Sequence, residues 1–264
     1  MHIVCVVKFV PDVDNFTYNY ETHTIERDNS TMLINPDDAC ALGFALKMKK
    51  RDPQTVIEAV SMAPRSVTSQ MEDILRVGFD GAALISDPMF AGSDTYVTSS
   101  ILSRYIKDLP YDCILTGTHA IDGDTSHVPS QIAQRLNLDH LNSILRIDEQ
   151  MITQSSAVVE VDGESSVTTY EIGLPALLSL TRDAGYRLPY VRYKNLNLDV
   201  SDRLHIVTNG QLGFDPREVG LQGSRTQVVS THAKKHETRE KKVVKSGDDG
   251  VEVIYNFLKK NGFV

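Results

Sequence analysis

The chain of 264 residues contains no tryptophan, only three cysteines and an acidic excess that leaves a net charge of −8. Cys5, Cys40 and Cys113 lie far apart in apolar company, which excludes a disulfide frame or a cysteine metal site and reads as small core residues in a reducing compartment. The acidic balance argues against general nucleic-acid binding. No apolar run approaches the roughly 20 residues needed to span a bilayer, so no membrane insertion is expected. The N-terminal MHIVCVVKFVPD has no basic flank ahead of its apolar run and reads as a first strand, not a signal peptide; a cytoplasmic protein is expected.

Several chemical signatures are also missing. Neither the P-loop pattern nor GxGxxG occurs, and HExxH, GxSxG and Cys–His metal spacings are absent. The eight histidines are scattered, and only His119 and His127 share a loop with other polar groups. No residue stands out as a nucleophile or general base, so no catalytic residue and no metal site is assigned. A nucleotide pocket without acid–base apparatus suits either a binding module or a holder of a redox cofactor that carries the reaction itself.

What is present is an alternation of buried-strand and helix patterns over residues 1–136. IVCVV (3–7), VIEAVSM (56–62), AALIS (82–86) and CILTG (113–117) are apolar along their length. Between and after them come amphipathic segments at 36–51, 66–79, 93–109 and 128–136. Strands apolar on both faces that alternate with helices predict a mostly parallel sheet covered on two sides, an α/β three-layer sandwich. Residues 12–34 predict a small β-hairpin around ETHT, 144–172 a further antiparallel stretch turning at Asp162–Gly163, and 175–183 one more buried strand. The expected division is a nucleotide-binding α/β domain over 1–186 and a C-terminal arm with a terminal helix over 187–264. The basic run at 232–245 reads more simply as a solvated face than as a binding site.

The stretch GTHAIDGDTSHVPSQIAQR (117–135) carries the functional signal. An apolar strand ends in glycine, passes through a small, acidic, turn-rich loop and opens a helix. Loop amides and a helix N-terminus can hold a phosphate in this way without a lysine. The same pattern also serves as a plain structural turn. Asp122 and Asp124 repel phosphate, which leaves them hydrogen bonds to loop amides, to ribose hydroxyls or to a metal, or turn formation alone.

The chain resembles the small (beta) subunit of electron-transfer flavoproteins over essentially its full length. The resemblance is carried by VVKFVPD (6–12), INPDDACALGFALKMK (34–49), VSMAP (60–64), LISDPMFAGSDTYVTS (84–99), GTHAIDGDTSHVPSQIA (117–133), LPALLSLTRD (174–183) and LGFDPREVGLQGSRTQVV (212–229). It implies a heterodimer with an alpha subunit, an extended C-terminal arm packed on that partner, and a nucleotide at the strand ends. Carried over by motif, the ligand would lie against Val6, Lys8, Asn35, Asp38, Met62 and Ala63. Gly117, Asp122, Gly123, Asp124, Thr125, Ser126, His127 and Val128 would wrap its ribose and phosphates. For Val6 and Met62 the alternative is core packing, and for Asn35 it is helix capping.

SDPMFAGSDTYVTS (86–99) is similar to the electron-bifurcating type, in which the beta subunit holds FAD rather than AMP, and Asp94, Thr95 and Thr98 would face the flavin. That resemblance implies electrons passing between NADH, a partner dehydrogenase and a low-potential carrier such as ferredoxin or flavodoxin. The simpler implication is AMP in this subunit and electrons from an acyl-CoA-type dehydrogenase. A reading of another class is a stand-alone nucleotide-binding regulatory module. The chain departs from the family pattern at His127 and at Pro129–Ser130, which stand where glutamine and Gly–Pro are common, and at Ala63, where glycine is usual.

Overall fold

A computed structural model describes residues 1–12, 17–19, 24–26, 32–163, 165–229, 243–244 and 247–263. The aliphatic runs form one nine-stranded sheet. Its strands are β1 (His2–Val6), β2 (Val56–Met62), β3 (Gly81–Ile85), β4 (Cys113–Gly117), β5 (Asp139–Ile147), β6 (Ser156–Gly163), β7 (Ser166–Gly173), β8 (Ala176–Leu180) and β9 (Leu204–Val207). Their spatial order is β7-β6-β5-β8-β4-β1-β2-β3-β9. From β5 through β9 every pairing is parallel, and β5, β6 and β7 form an antiparallel edge.

Strand alternation decides which helices cover which face. Ile3, Cys5 and Val7 point to one side, where helices α1 (Pro36–Arg51) and α2 (Thr68–Val77) bury Leu42, Phe44, Met71 and Ile74. Val4 and Val6 point to the other side, against α3 (Thr95–Ile106) and α4 (His127–Leu136), which contribute Val97, Ile101 and Ile132. Each such fully buried aliphatic side chain contributes about 1.5–3 kcal/mol by leaving water. The result is the expected α/β sandwich. Burial pushes the Cys113 thiol up to about 12, and it raises those of Cys5 and Cys40 as well, so all three remain protonated core groups.

Two short antiparallel pairs, Phe9–Pro11 with Met32–Ile34 and Thr17–Asn19 with Thr24–Glu26, occupy the region of the expected hairpin; residues 20–23 of its turn lie outside the described residues. The chain divides by contacts into Met1–Val229 and Ser230–Val264. Thus β9 and the short helices up to Gly223 belong to the first unit, beyond position 187 where the arm was expected to start. The second unit holds helix α5 (Asp248–Lys260), with Val251, Ile254 and Phe257 exposed. Of the basic run, only 243–244 are described. Among the described residues no helix is long and apolar enough to cross a membrane.

Candidate functional site

In an open parallel sheet, loops diverge where the strand order reverses, and ligands bind in the crevice so formed. Here the chain leaves β1 towards β2 and β3 on one side, then returns to place β4 on the other. The crevice therefore lies beyond the carboxyl ends of β1 and β4, flanked by Lys8 and by the loop after Gly117.

Helix α1 begins across this opening, and its first turn staples the strand ends together. Asp38 accepts from the Lys8 amide at 2.8 Å and from the Gly117 amide at 2.6 Å. Asp37, 2% exposed, accepts from the Arg182 amide at 3.0 Å and from the His119 amide at 3.3 Å. Pro36 occupies the first helical position, where its missing N–H is harmless. Asn35 precedes it but does not cap the helix through its side chain. Instead its amide donates to the His119 carbonyl at 2.7 Å and accepts from the Ile121 amide at 3.2 Å. The helix start and the nucleotide-loop candidate are thereby one construction. A Cβ on Gly117 would meet Asp38 Oδ1 at 2.5 Å and Asp37 Cβ at 2.6 Å, so only glycine lets the helix approach this closely.

The short amide bonds favour ionised Asp38, yet burial works more strongly the other way, helped by neighbouring Asp37, and lifts its carboxyl to about 7. Asp122 is held by Lys8, whose Nζ lies 2.5 Å from its carboxylate, with the aspartate 6% exposed and the lysine 43%. This ion pair spans the crevice and fixes the loop against the end of β1.

Beyond Asp122 the backbone turns tightly. The amides of Gly123 and Asp124 close onto the Ala120 carbonyl, at 3.3 and 2.8 Å. Asp124 and Ser126 adopt positive φ, 46° and 53°, a conformation that side-chain-bearing residues rarely take. Strain of this kind is retained where the surroundings demand it. Ser126 precedes α4 without a side-chain capping bond, and Pro129 falls within the first turn. Among the described residues, no acceptor pairs with the amides of Thr125, Ser126, His127 or Val128. Four adjacent donors at a helix N-terminus, at the rim of a parallel sheet, form an anion-binding arrangement.

The other expected residues are distributed around this loop. Val6 is buried in the core on the α3/α4 side, and Met62 and Ala63 lie half-buried at the end of neighbouring β2. Thr95 and Thr98 sit half-buried in the first turn of α3, beside α4. Asp94 caps α3 by accepting from the Val97 amide at 3.0 Å. Its other oxygen accepts from the Arg225 and Thr226 amides at 2.7 and 2.9 Å and from Thr226 Oγ1 at 3.0 Å. Partial burial disfavours its charge, but these donors outweigh it and hold the carboxyl below its ordinary value. The sequence reading did not anticipate Asp37 or the fixed geometry of His119. Their partners lie 82 residues apart in the chain, and no periodic pattern signals such a pairing.

Comparison with known proteins meets this geometry. The electron transfer flavoprotein domain matches residues 22–185. The electron transfer flavoprotein subunit beta of Thermoanaerobacterium thermosaccharolyticum is 32% identical over 235 residues, 88% of this chain and 87% of that protein. The caffeyl-CoA reductase-Etf complex subunit CarD of Acetobacterium woodii is 34% identical over 232 residues, 86% of each chain. Protein FixA of Azotobacter vinelandii is 32% identical over 253 residues, 94% of this chain and 89% of that one. The chain belongs to the electron transfer flavoprotein family and is of its beta-subunit type.

Proposed function

We propose that this chain, paired with an alpha subunit, binds FAD in the β1/β4 crevice. There it serves electron transfer between NADH, a partner dehydrogenase and a low-potential carrier of the ferredoxin or flavodoxin class. The observation that carries the reading is the set of four amides at Thr125–Val128 that have no acceptor among the described residues, at a helix start beside the sheet's switch point. A bound flavin supplies the electron chemistry. The protein's part is to bind and orient.

The Thr125–Val128 amides would hold phosphate oxygens, while Gly123 keeps the approach open, since a Cβ there meets nothing within 4 Å. Lys8 places positive charge at the crevice and keeps Asp122 from repelling the ligand. Met62 and Ala63 would form the apolar wall beside the adenosine, with Asn35 and Asp38 beneath it as supports. His127 would stand at the phosphate end of the α4 turn, and Thr95 and Thr98 would face the distal part of the ligand. The similarity to CarD, named for a caffeyl-CoA reductase-Etf complex, and to the acryloyl-CoA reductase electron transfer subunit gamma of Anaerotignum propionicum supports an acyl-CoA-type partner dehydrogenase.

One observation favours AMP instead of FAD in this subunit. Both Asp94 oxygens are taken up by the start of α3 and by residues 225–226, so this carboxylate is not free to meet a flavin ring. Release and quantification of nucleotides from the chain co-expressed with its alpha partner separates the readings. Two FAD per heterodimer is the expected result. One FAD with one AMP would establish the simpler carrier, and a heterodimer without adenine nucleotide would overturn the site.

A further inference from the structure

We propose that Tyr96, Arg135 and Arg225 form a docking site for an acidic electron-carrier protein, gripping it by its surface carboxylates. The inference rests on the flavin reading above and deepens it by naming where the low-potential carrier meets this subunit.

Three parts of the fold converge on one ring. Tyr96 belongs to the first turn of α3, Arg135 to the last turn of α4, and Arg225 to the segment fastened by Asp94. The guanidinium carbons of Arg135 and Arg225 lie 4.6 and 4.8 Å from the Tyr96 ring centroid. Arg135 is held there by donating to Ser99 Oγ and to the Tyr96 carbonyl, each at 3.3 Å. Arg225 is placed by its own backbone amide, which donates to Asp94 at 2.7 Å. Arg135 first, and Arg225 after it, hold the Tyr96 phenol below its ordinary value through their donors and charge.

Either arginine alone would be an ordinary solvated cation. Here both are exposed and fixed, and neither guanidinium forms an ion pair among the described residues. Elsewhere Arg76, Arg146 and Arg217 are each paired with carboxylates. Asp94, in the same turn, is already engaged by the Val97, Arg225 and Thr226 amides. Neighbouring guanidiniums with open N–H groups match carboxylates in geometry and charge. A chain of net charge −8 repels an acidic protein on average, so its approach needs unpaired cations at one place.

The surroundings favour a protein over a small anion. Tyr96 is 39% exposed, and Leu221, 60% exposed, lies against Gly92 in the loop leading into α3. Arginine and tyrosine are enriched at protein interfaces, and a small anion makes no use of exposed aliphatic surface. The patch also adjoins Thr95 and Thr98 on the same helix turn, so a carrier seated here would stand beside the proposed flavin.

The test is stopped-flow association of the flavin-loaded heterodimer with an acidic ferredoxin and with an acidic flavodoxin at low ionic strength. The paired variant Arg135→Glu/Arg225→Glu should associate about tenfold more slowly, and added salt should shrink the deficit. The neutral pair Arg135→Gln/Arg225→Gln should lose about threefold. Arg51→Glu/Lys107→Glu changes the net charge equally, at exposed positions at the far ends of α1 and α3, and should lose less than about twofold. Flavin content and heterodimer formation should stay unchanged throughout. An equal loss in the charge-matched control, or no loss in the glutamate pair at Arg135 and Arg225, would overturn the inference while leaving the flavin site standing. So would loss of heterodimer formation in that pair, which would assign the patch to the alpha subunit. Binding of neither carrier by the intact heterodimer would instead overturn the low-potential-carrier part of the proposed function, and the docking site with it.

Discussion

Helices α3 and α4 start side by side at the same edge of the sheet, and their first turns are handled in opposite ways. At α3 a side chain caps the first turn. Asp94 caps the helix and also anchors residues 225–226, while Ser224 Oγ accepts from the Asp94 amide at 2.9 Å. At α4 Ser126 takes a left-handed conformation and makes no capping bond, and the amides from 125 to 128 have no acceptor among the described residues. A closed helix start serves as a tether for the chain's own backbone, and an open one serves as a binding surface for an anion.

Three substitutions break or sharpen this contrast. The largest effect is expected from Gly117→Ala, which drives a methyl group into Asp38 and Asp37 at the base of the open loop. A loss of about 3 kcal/mol in urea unfolding and loss of bound nucleotide should follow. Retention of both would mean that the α1 staple tolerates movement.

A second test concerns Asp38, whose carboxyl rises to about 7 from an ordinary value of 3.8, chiefly through burial. The folded protein therefore keeps a proton that the unfolded chain has released. The contribution to stability is complete below the unfolded value and disappears as pH climbs through about 7. Relative to Asp38→Asn, the natural protein should lose about 2 kcal/mol of unfolding free energy between pH 5 and pH 7. Parallel pH profiles for the two proteins would show that the two backbone amides keep Asp38 ionised throughout.

The smallest effect is expected at the closed helix. Asp94→Ala should cost about 1–2 kcal/mol through the lost cap. It should also speed proteolysis near residues 225–229 and leave the adenine nucleotide content unchanged. Selective loss of nucleotide in that variant would erase the distinction and add Asp94 to the ligand site.

Much of this framework is legible in the residues. The strands at 2–6, 56–62, 81–85 and 113–117 coincide closely with the apolar runs, because both faces of a central parallel strand are buried. Pro36 marks the first position of α1, and Gly117 ends β4 as its motif suggested. Strand β9 escaped notice, since LHIV is only four residues long, lies in turn-rich sequence and owes its pairing with β3 to distant contacts. Asn35 reads locally as a cap, whereas in the fold its side chain is spent on His119 and Ile121.

The order of apolar runs and helix starts by itself determined a two-sided parallel sheet with a glycine-to-helix loop at its rim, because periodicity is a local property of the chain. Only the tertiary structure decided which donors remain open. Whether an amide is satisfied depends on acceptors brought from elsewhere: Asp37 and Asp38 to the strand ends, and residues 225–226 to Asp94, with nothing brought to Thr125–Val128 among the described residues.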